Sequence, residues 1–208
     1  MINVSIAGIG GQGSVLAARI LAQAAEAKGW QVRSAETIGM AQRGGDVMSH
    51  VRMGNAGEEV FSPLPAKGTV DVLIALEPGE AARALPYLKE NGLLVVASTG
   101  IPPVMANFKR QTYDPQHLID DMQAAGVKMV VVDDAELVHR LGEPKALNVM
   151  MLAYAIIAVN KREDCVDNAL RGAITLEDIE AAIPLCVKRK LVSVNEKAIK
   201  VVQQVARV

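Results

Sequence analysis

Cysteine is scarce in this chain, which limits the chemistry that the chain can hold. The 208 residues include two cysteines, Cys165 and Cys186, too few for a four-cysteine cluster and not spaced as C-x-x-C. We therefore predict two buried, apolar thiols in a protein of the reducing cytoplasm. His117 and His139 have no second metal ligand at a suitable spacing, so no metal site is predicted.

The sequence also lacks an excess of charge of either sign, and it lacks long apolar runs. Lys and Arg total 22 against 23 Asp and Glu, for a net charge of -1. This balance predicts no nucleic-acid partner and no attraction to an anionic membrane. No apolar run reaches the roughly 18 residues that a membrane helix needs, and residues 2 and 3 do not begin a charged leader. We expect a soluble protein.

Short apolar runs are plentiful and alternate with helical patterns. This alternation predicts an α/β fold, with a three-layer, Rossmann-like, mostly parallel sheet, helices on both faces and a helical C-terminal third. We expect one domain over residues 1–208, with residues 1–145 forming the sheet and residues 146–208 a mainly helical part. The predicted strands cover residues 2–7, 31–37, 46–53, 58–64, 70–77, 91–99 and 127–135.

One predicted pair of strands does not fit this alternation of strands and helices. "DVMSHVRM", residues 46–53, alternates as a half-buried strand does, and "EEVFSPL", residues 58–64, could pair with it as a hairpin. His50 and Arg52 share one face of the first strand, which we expect to meet a partner or water.

"GIGGQG", residues 8–13, joins the first strand to the first helix and places Gly8, Gly10 and Gly13 in the spacing G-x-G-x-x-G. Such a loop lets backbone N–H groups approach an anion at a helix start. Glu36 lies 23 residues past Gly13, where a dinucleotide-binding domain has its ribose-binding acid. The pattern alone leaves two interpretations open, a dinucleotide loop and a tight turn between closely packed elements.

A second unusual loop follows the second strand. "GMAQRGG", residues 39–45, contains Gln42 and Arg43 and then the pair Gly44 and Gly45, which lets the backbone approach another group closely. Since both loops leave carboxyl ends of neighbouring strands, we expect them to lie together at one edge of the sheet. Arg43 could bind an anion bidentately or order the loop against Glu36.

Together, "GIGGQGSVLAARIL" and "ETIGMAQRGGDVMSHVR" resemble the gamma-type component of the 2-oxoacid:ferredoxin oxidoreductases. The resemblance continues through "ALEPGEAARALPYL" and Asn148 and covers most of the chain. Within that family, "GMAQRGG" is typical of the branch that acts on aryl 2-oxo acids such as indolepyruvate. We expect Glu77 and Glu80 to lie at a helix start and to have a structural role.

The resemblance implies oxidative decarboxylation of a 2-oxo acid on thiamine diphosphate, with electrons passing through iron–sulfur clusters to ferredoxin and release of an acyl-CoA. The chain has no Gly-Asp-Gly run of a thiamine site, no cysteine set for a cluster and no G-x-x-x-x-G-K-[ST] phosphate loop. The resemblance therefore implies a larger subunit that carries the thiamine diphosphate, Mg²⁺ and clusters, and a small chain that is inactive alone. In isolation this chain could form a homodimer.

Arg43 and Gln42 are the candidate catalytic residues. The candidate residues for binding coenzyme A or the partner's surface are Gly8, Gly10, Gly11, Gln12, Gly13, Gly44 and Gly45. Two alternatives remain at this point, an NAD-dependent oxidoreductase that uses the glycine loop and Glu36, and a nucleotide-sensing or assembly module without chemistry of its own.

Overall fold

Six strands form one sheet in the computed structural model, which describes residues 1–39, 45–102, 113–162 and 170–206. The strand order is β2-β3-β1-β4-β5-β6. β1, β4, β5 and β6 are parallel, whereas β3 is antiparallel to both of its neighbours, β1 and β2. The strands are β1 (Ile2–Ile9), β2 (Gln31–Ile38), β3 (Asp46–Gly54), β4 (Val70–Ala75), β5 (Leu88–Ala97) and β6 (Met129–Val132).

Seven α-helices occur in the described ranges, and local sequence explains where several of them start. Glu77 caps the second helix by accepting from the Glu80 N–H, and Thr175 and Asp178 form a capping box at the start of the sixth. None of these helices is both long and apolar enough to cross a membrane. The helices are α1 (Ser14–Ala27), α2 (Pro78–Ala84), α3 (Pro115–Ala124), α4 (Asp134–Leu141), α5 (Leu147–Lys161), α6 (Leu176–Cys186) and α7 (Arg189–Val205).

Each face of the sheet has its own apolar core. On one face, Ile2, Val4 and Ile6 of β1 pack in a cluster with α1, α4, α5, α6 and α7. On the other face, Ala7 and Leu73 pack in a smaller cluster with α2 and α3. Burial of each large side chain stabilises the fold by about 1.5–3 kcal/mol. The predicted α/β fold, with a mostly parallel sheet covered on both faces, is confirmed.

The predicted hairpin between residues 46–53 and 58–64 is wrong. β3 pairs with β2 and β1 instead, and residues 58–64 form no strand. Pro63 has no N–H group to donate to a ladder, and the Val60 N–H donates to the side chain of Gln31 at 2.6 Å. β3 is buried on both faces, as a central strand should be, while β2 is the largely exposed edge strand.

A row of polar side chains crosses four strands on the face of α2 and α3. Arg52 of β3 donates from Nε to Oδ1 of Asn3 at 3.0 Å, and the Asn3 N–H donates to Oδ2 of Asp71 at 2.7 Å. The other carboxylate oxygen of Asp71 is paired with the Lys89 ammonium of β5. Every charge in this row therefore has a partner, as burial requires.

His50 lies in the same layer, and the expectation that it meets a partner or water is wrong. Its ring is 1% exposed, forms a 2.8 Å hydrogen bond through Nδ1 with Ser5 Oγ, and lies 5.7 Å from the ring of Tyr87. Burial lowers the pKa of His50 below its ordinary value of 6.5. The imidazole is a neutral part of the core.

Acid should therefore destabilise the protein partly through His50. Below about pH 6.5 the unfolded chain binds a proton at this ring that the folded chain does not, so the free energy of unfolding should fall as the pH decreases. Urea denaturation between about pH 8 and pH 5.5 should show this fall, and His50→Gln should reduce it. His117→Gln is the control, because that side chain is 71% exposed. Equal pH dependence in wild type and His50→Gln would contradict the assignment.

Candidate functional site

The connections after β1 and β4 create a crevice at the end of the sheet where the parallel strands terminate. We call this end the carboxyl edge. β1 leads into α1 on one face, whereas its parallel neighbour β4 leads into α2 on the other. In open α/β sheets, ligands bind where adjacent parallel strands diverge in this way. The candidate site is therefore this edge, which includes the loop at residues 10–13.

The side chain of Gln12 fills the crevice. Its Oε1 accepts from the Ile9 N–H at 2.7 Å, and its Nε2 donates to the Leu76 carbonyl at 2.9 Å. A Cβ on Gly8 would lie 2.9 Å from Gln12 Oε1 and 3.2 Å from Leu76. Gly8 thus makes room for Gln12, and both ends of the Gln12 amide are bound within the chain.

Gly13 serves a second internal contact. Its φ of +84° is one that L side chains rarely adopt, and its carbonyl accepts from Asn148 Nδ2 at 2.9 Å. A Cβ on Gly13 would lie 2.5 Å from that nitrogen. Asn148 is 2% exposed and belongs to the first turn of α5. It therefore joins the start of the buried helix to the start of α1.

The outer part of the loop faces away from the chain. Gly11 has a φ of +106°, and a Cβ built on it meets nothing within 4 Å.

The Gly10 N–H donates to the Gly45 carbonyl at 2.9 Å, so the two glycine-rich loops meet. They do so because β3, which lies between β1 and β2, places Asp46 opposite Ile9. The expectation that β1 and β2 are neighbours is wrong.

Three candidates of the second loop, Gln42, Arg43 and Gly44, lie outside the described residues. Gly39 and Gly45 mark the described ends of their segment, and the Gly39 N–H donates to the Asp46 carbonyl at 2.8 Å. The segment therefore leaves and re-enters the sheet at the same edge as the glycine loop.

Glu77 lies on the other side of the carboxyl edge, where β4 ends and α2 begins. It is 2% exposed, and its carboxylate accepts from the N–H groups of Glu80 at 2.9 Å and Ile101 at 3.2 Å and from the Tyr113 hydroxyl. Burial, together with this carboxylate, raises the pKa of Tyr113 above its ordinary value. Glu77 is thus the cap of α2 and lies, as predicted, at a helix start. The sequence pattern did not indicate that Tyr113, 36 residues away, completes it.

Burial raises the pKa of Glu80, against the lowering effect of the Arg83 guanidinium at 3.2 Å. Glu80, Glu77 and Tyr113 line a pocket of about 240 Å³ beside Ile9 and Gly45. The described residues hold no group of three side chains that could bind a metal ion.

Glu36 does not belong to this pocket. It lines a separate groove of about 310 Å³ between α1 and β2, together with Arg19, Gln23 and Ser49. Val15 is the residue of this groove nearest to the glycine loop in sequence, and no loop glycine is among its described lining. The glycine loop and Glu36, the expected ribose-binding acid, therefore do not line the same pocket.

Comparison with known proteins assigns the class. The family model described as "Pyruvate ferredoxin/flavodoxin oxidoreductase" matches residues 3–207, so the chain belongs to this family. Its relatives are subunits of oxidoreductases, and the chain is a small subunit of a 2-oxoacid:ferredoxin oxidoreductase. The NAD-dependent alternative has no support from these relatives.

Two curated relatives and one solved structure illustrate the family. The chain is 32% identical to the indolepyruvate oxidoreductase subunit IorB of Archaeoglobus fulgidus, over 96% of this chain and 92% of that one. It is 25% identical to the pyruvate/ketoisovalerate oxidoreductases common subunit gamma of Pyrococcus furiosus, over 88% and 94%. The gamma subunit of a keto/oxoacid ferredoxin oxidoreductase from Geobacter sulfurreducens shares the fold, with a TM-score of 0.65 and 21% identity over 98% and 97%.

The contact between Gly13 and Asn148 can be tested with a double-mutant cycle. Gly13→Ala should destabilise the protein by about 1–3 kcal/mol, because it adds backbone strain and a clash with Asn148. Asn148→Ala should cost about 1–3 kcal/mol, since it leaves the Gly13 carbonyl without this donor. The double variant should be less destabilised than the sum of the two, because the clash is removed. Strictly additive unfolding free energies in urea would contradict the described contact.

Proposed function

We propose that this chain is the small subunit of a cytoplasmic oxidoreductase that converts an aryl 2-oxo acid, with indolepyruvate as the expected substrate, to an acyl-CoA and reduces ferredoxin. The chain is inactive without a larger subunit that carries thiamine diphosphate, Mg²⁺ and iron–sulfur clusters. The identity of 32% to an indolepyruvate oxidoreductase subunit, against 25% to a pyruvate/ketoisovalerate subunit, supports the aryl branch. The thiamine cofactor supplies carbanion stabilisation and the clusters supply electron storage.

The observation that carries this proposal is the contact between the two glycine-rich loops at the carboxyl edge. The 2.9 Å hydrogen bond from the Gly10 N–H to the Gly45 carbonyl joins the first loop to the described end of the second, and the open space beside Gly11 leaves the first loop accessible. Exposed apolar side chains surround it, namely Val15, Ile38 and Ile101. Such an edge can close over the active centre of the larger subunit and exclude water from it.

The same edge offers groups that would bind an anion. The N–H groups of Gly11 and Gly13 have no hydrogen-bond partner among the described residues, and α1 starts directly after them without a side-chain cap. A phosphate of coenzyme A or the carboxylate of the 2-oxo acid suits these donors. Gln12 orients the loop rather than binding the ligand through its side chain, because its amide is already bound at both ends.

Arg43 and Gln42 complete the proposed site from the second loop. The guanidinium of Arg43 binds the carboxylate or the phosphate, and Gln42 donates a further hydrogen bond. The residues that flank their segment support these roles, because Gly45 accepts from the Gly10 N–H of the glycine loop and Gly39 donates to Asp46.

Arg43→Ala tests the role of the second loop in the assembled complex. We expect kcat/KM for coenzyme A or for the 2-oxo acid to fall about 10–100-fold, as the loss of a charge-assisted hydrogen bond predicts. Arg33→Ala is the matched control, because Arg33 is exposed on β2 and donates, among the described residues, a 3.4 Å hydrogen bond to the carbonyl of its neighbour Val32. Unchanged kinetics for both co-substrates in Arg43→Ala would remove Arg43 from the site.

The substrate is tested by isolating the native complex and measuring ferredoxin reduction with coenzyme A. Indolepyruvate should give a kcat/KM at least about tenfold above that of pyruvate, which corresponds to about 1.4 kcal/mol of discrimination. The isolated chain should show no activity. A preference for pyruvate would contradict the aryl assignment and leave the family assignment in place.

A further inference from the structure

The edge strand β2 is paired on one side only by the described part of the chain. Its neighbour is β3, and their register runs without a shift from Gln31 to Ile38. β2 contains no proline, and prolines and bulges are devices that keep an edge strand from pairing with another chain. The other side of β2, which we call its outer side, is therefore regular enough to accept a further strand.

The backbone groups on the outer side of β2 belong to every second residue. The Gly39 N–H donates at 2.8 Å to the carbonyl of Asp46, which lies directly opposite it. In an antiparallel pair such directly opposite bonds recur at every second residue, so the odd-numbered residues of β2 bond to β3. The even-numbered residues each direct one N–H and one C=O outward. They are Val32, Ser34, Glu36 and Ile38.

The side chains of these four residues share one face of β2, because side chains alternate along a strand. It is the face of α1, since Ser34 and Glu36 line a groove with residues of α1 and Val32 packs against the core cluster on that side. Ile38 is 66% exposed there. The outer side of β2 thus combines free backbone groups with two apolar and two polar side chains.

A second copy of β2 is complementary to the first in one alignment. In an antiparallel two-fold pair, residues with outward backbone groups must face each other, so even-numbered residues face even-numbered residues. With Ala35 on the two-fold axis, Val32 faces Ile38, which is an apolar pair. In the same alignment the hydroxyl of Ser34 faces the carboxylate of Glu36, which is a donor with an acceptor.

The neighbouring alignments lack this complementarity. An axis at Glu36 would place the two Glu36 carboxylates opposite each other, and like charges in that position are destabilising. An axis at Ser34 would place Glu36 opposite Val32. The sequence of β2 therefore selects the alignment centred on Ala35.

The rest of the fold leaves room for this pairing. α1 packs over β3 and β2, and strands are spaced about 4.8 Å apart. The two α1 helices would then lie about 10–14 Å apart, at or beyond the 8–10 Å separation of packed helices. On the other face of the strand the small side chain of Ala35 meets its own copy, and Arg33 faces Thr37, so like charges do not oppose each other.

We propose that two copies of this chain pair through β2, with Ala35 on the two-fold axis, and form one continuous sheet from their two six-stranded sheets. The partner is a second copy because β2 matches itself in hydrogen-bond pattern, polarity and charge, as a two-fold contact requires. The inference goes beyond the proposed function, since it does not require the larger subunit.

Single cysteines in the purified chain test the alignment. Ala35→Cys should form a disulfide-linked dimer on mild oxidation, because facing residues at this type of position have Cα atoms about 4.5 Å apart. Thr37→Cys is the matched control on the same face, since its Cα would lie about 14 Å from its own copy, too far for a disulfide. Non-reducing electrophoresis measures the linked fraction, and the wild-type chain with its two cysteines gives the background.

Ser34→Pro tests the pairing itself. It removes an outward N–H and spares the bonds to β3, a position at which an edge strand tolerates proline. Analytical ultracentrifugation should show a dimer for the wild-type chain and a dimer Kd about tenfold or more higher for Ser34→Pro, because the symmetry removes the hydrogen bond twice. Circular dichroism shows whether the variant is folded, and if it is not, the two cysteine variants decide.

Three results would overturn the proposal. One is a monomeric wild-type chain, and another is an equal disulfide yield in Ala35→Cys and Thr37→Cys. The third is a wild-type chain that is monomeric alone while Ser34→Pro weakens binding of the larger subunit, since β2 would then pair with that subunit. Each of these results leaves ferredoxin reduction by the assembled complex, and with it the proposed function, in place.

Discussion

The side-chain amide of Gln12 joins the two parallel strands whose helices leave on opposite faces of the sheet. By binding Ile9 and Leu76 at once, it occupies the crevice in which a dinucleotide-binding domain would place its ligand. Gly8 must then be a glycine to admit Gln12, and Gly13 must be one to admit Asn148. The G-x-G-x-x-G spacing here serves internal packing at two of its three positions, so the spacing is satisfied without a nicotinamide cofactor. What remains open is the outer surface of the loop at Gly11, with the N–H groups of Gly11 and Gly13.

The two ends of the strands differ in the residues that they expose. At the carboxyl edge, backbone donors and a ring of exposed apolar residues suit a charged ligand that a partner encloses. At the other end of the strands, Phe61 is exposed on a loop that Arg52 holds through the Ser62 carbonyl.

Features with short-range causes were predictable from the sequence. β1, α1 and the capping box at Thr175 follow from local periodicity and local hydrogen bonds. The position of β3 was not predictable, because its pairing with β1 joins residues 37 to 51 positions apart. His50 was misassigned for the same reason, since the alternation of β3 does not show that Ser5 and Tyr87 cover it. At the site, the glycine loop and Glu77 could be found from motifs, whereas Asn148 and Tyr113 contribute through contacts that only the folded chain brings together.

The polar row from Arg52 to Lys89 has a further consequence for the uniqueness of the sheet. β4, the second half of β5 (residues 93–97) and β6 are almost uniformly apolar, so a strand that slipped by one residue would still bury apolar side chains on both faces. Asp71 prevents such a slip, because its carboxylate can reach the Asn3 N–H on one side and the Lys89 ammonium on the other only in a single alignment. A slipped sheet would bury that charge without partners, at a cost of several kcal/mol. A few polar atoms thus exclude the misaligned structures that the apolar residues alone would allow.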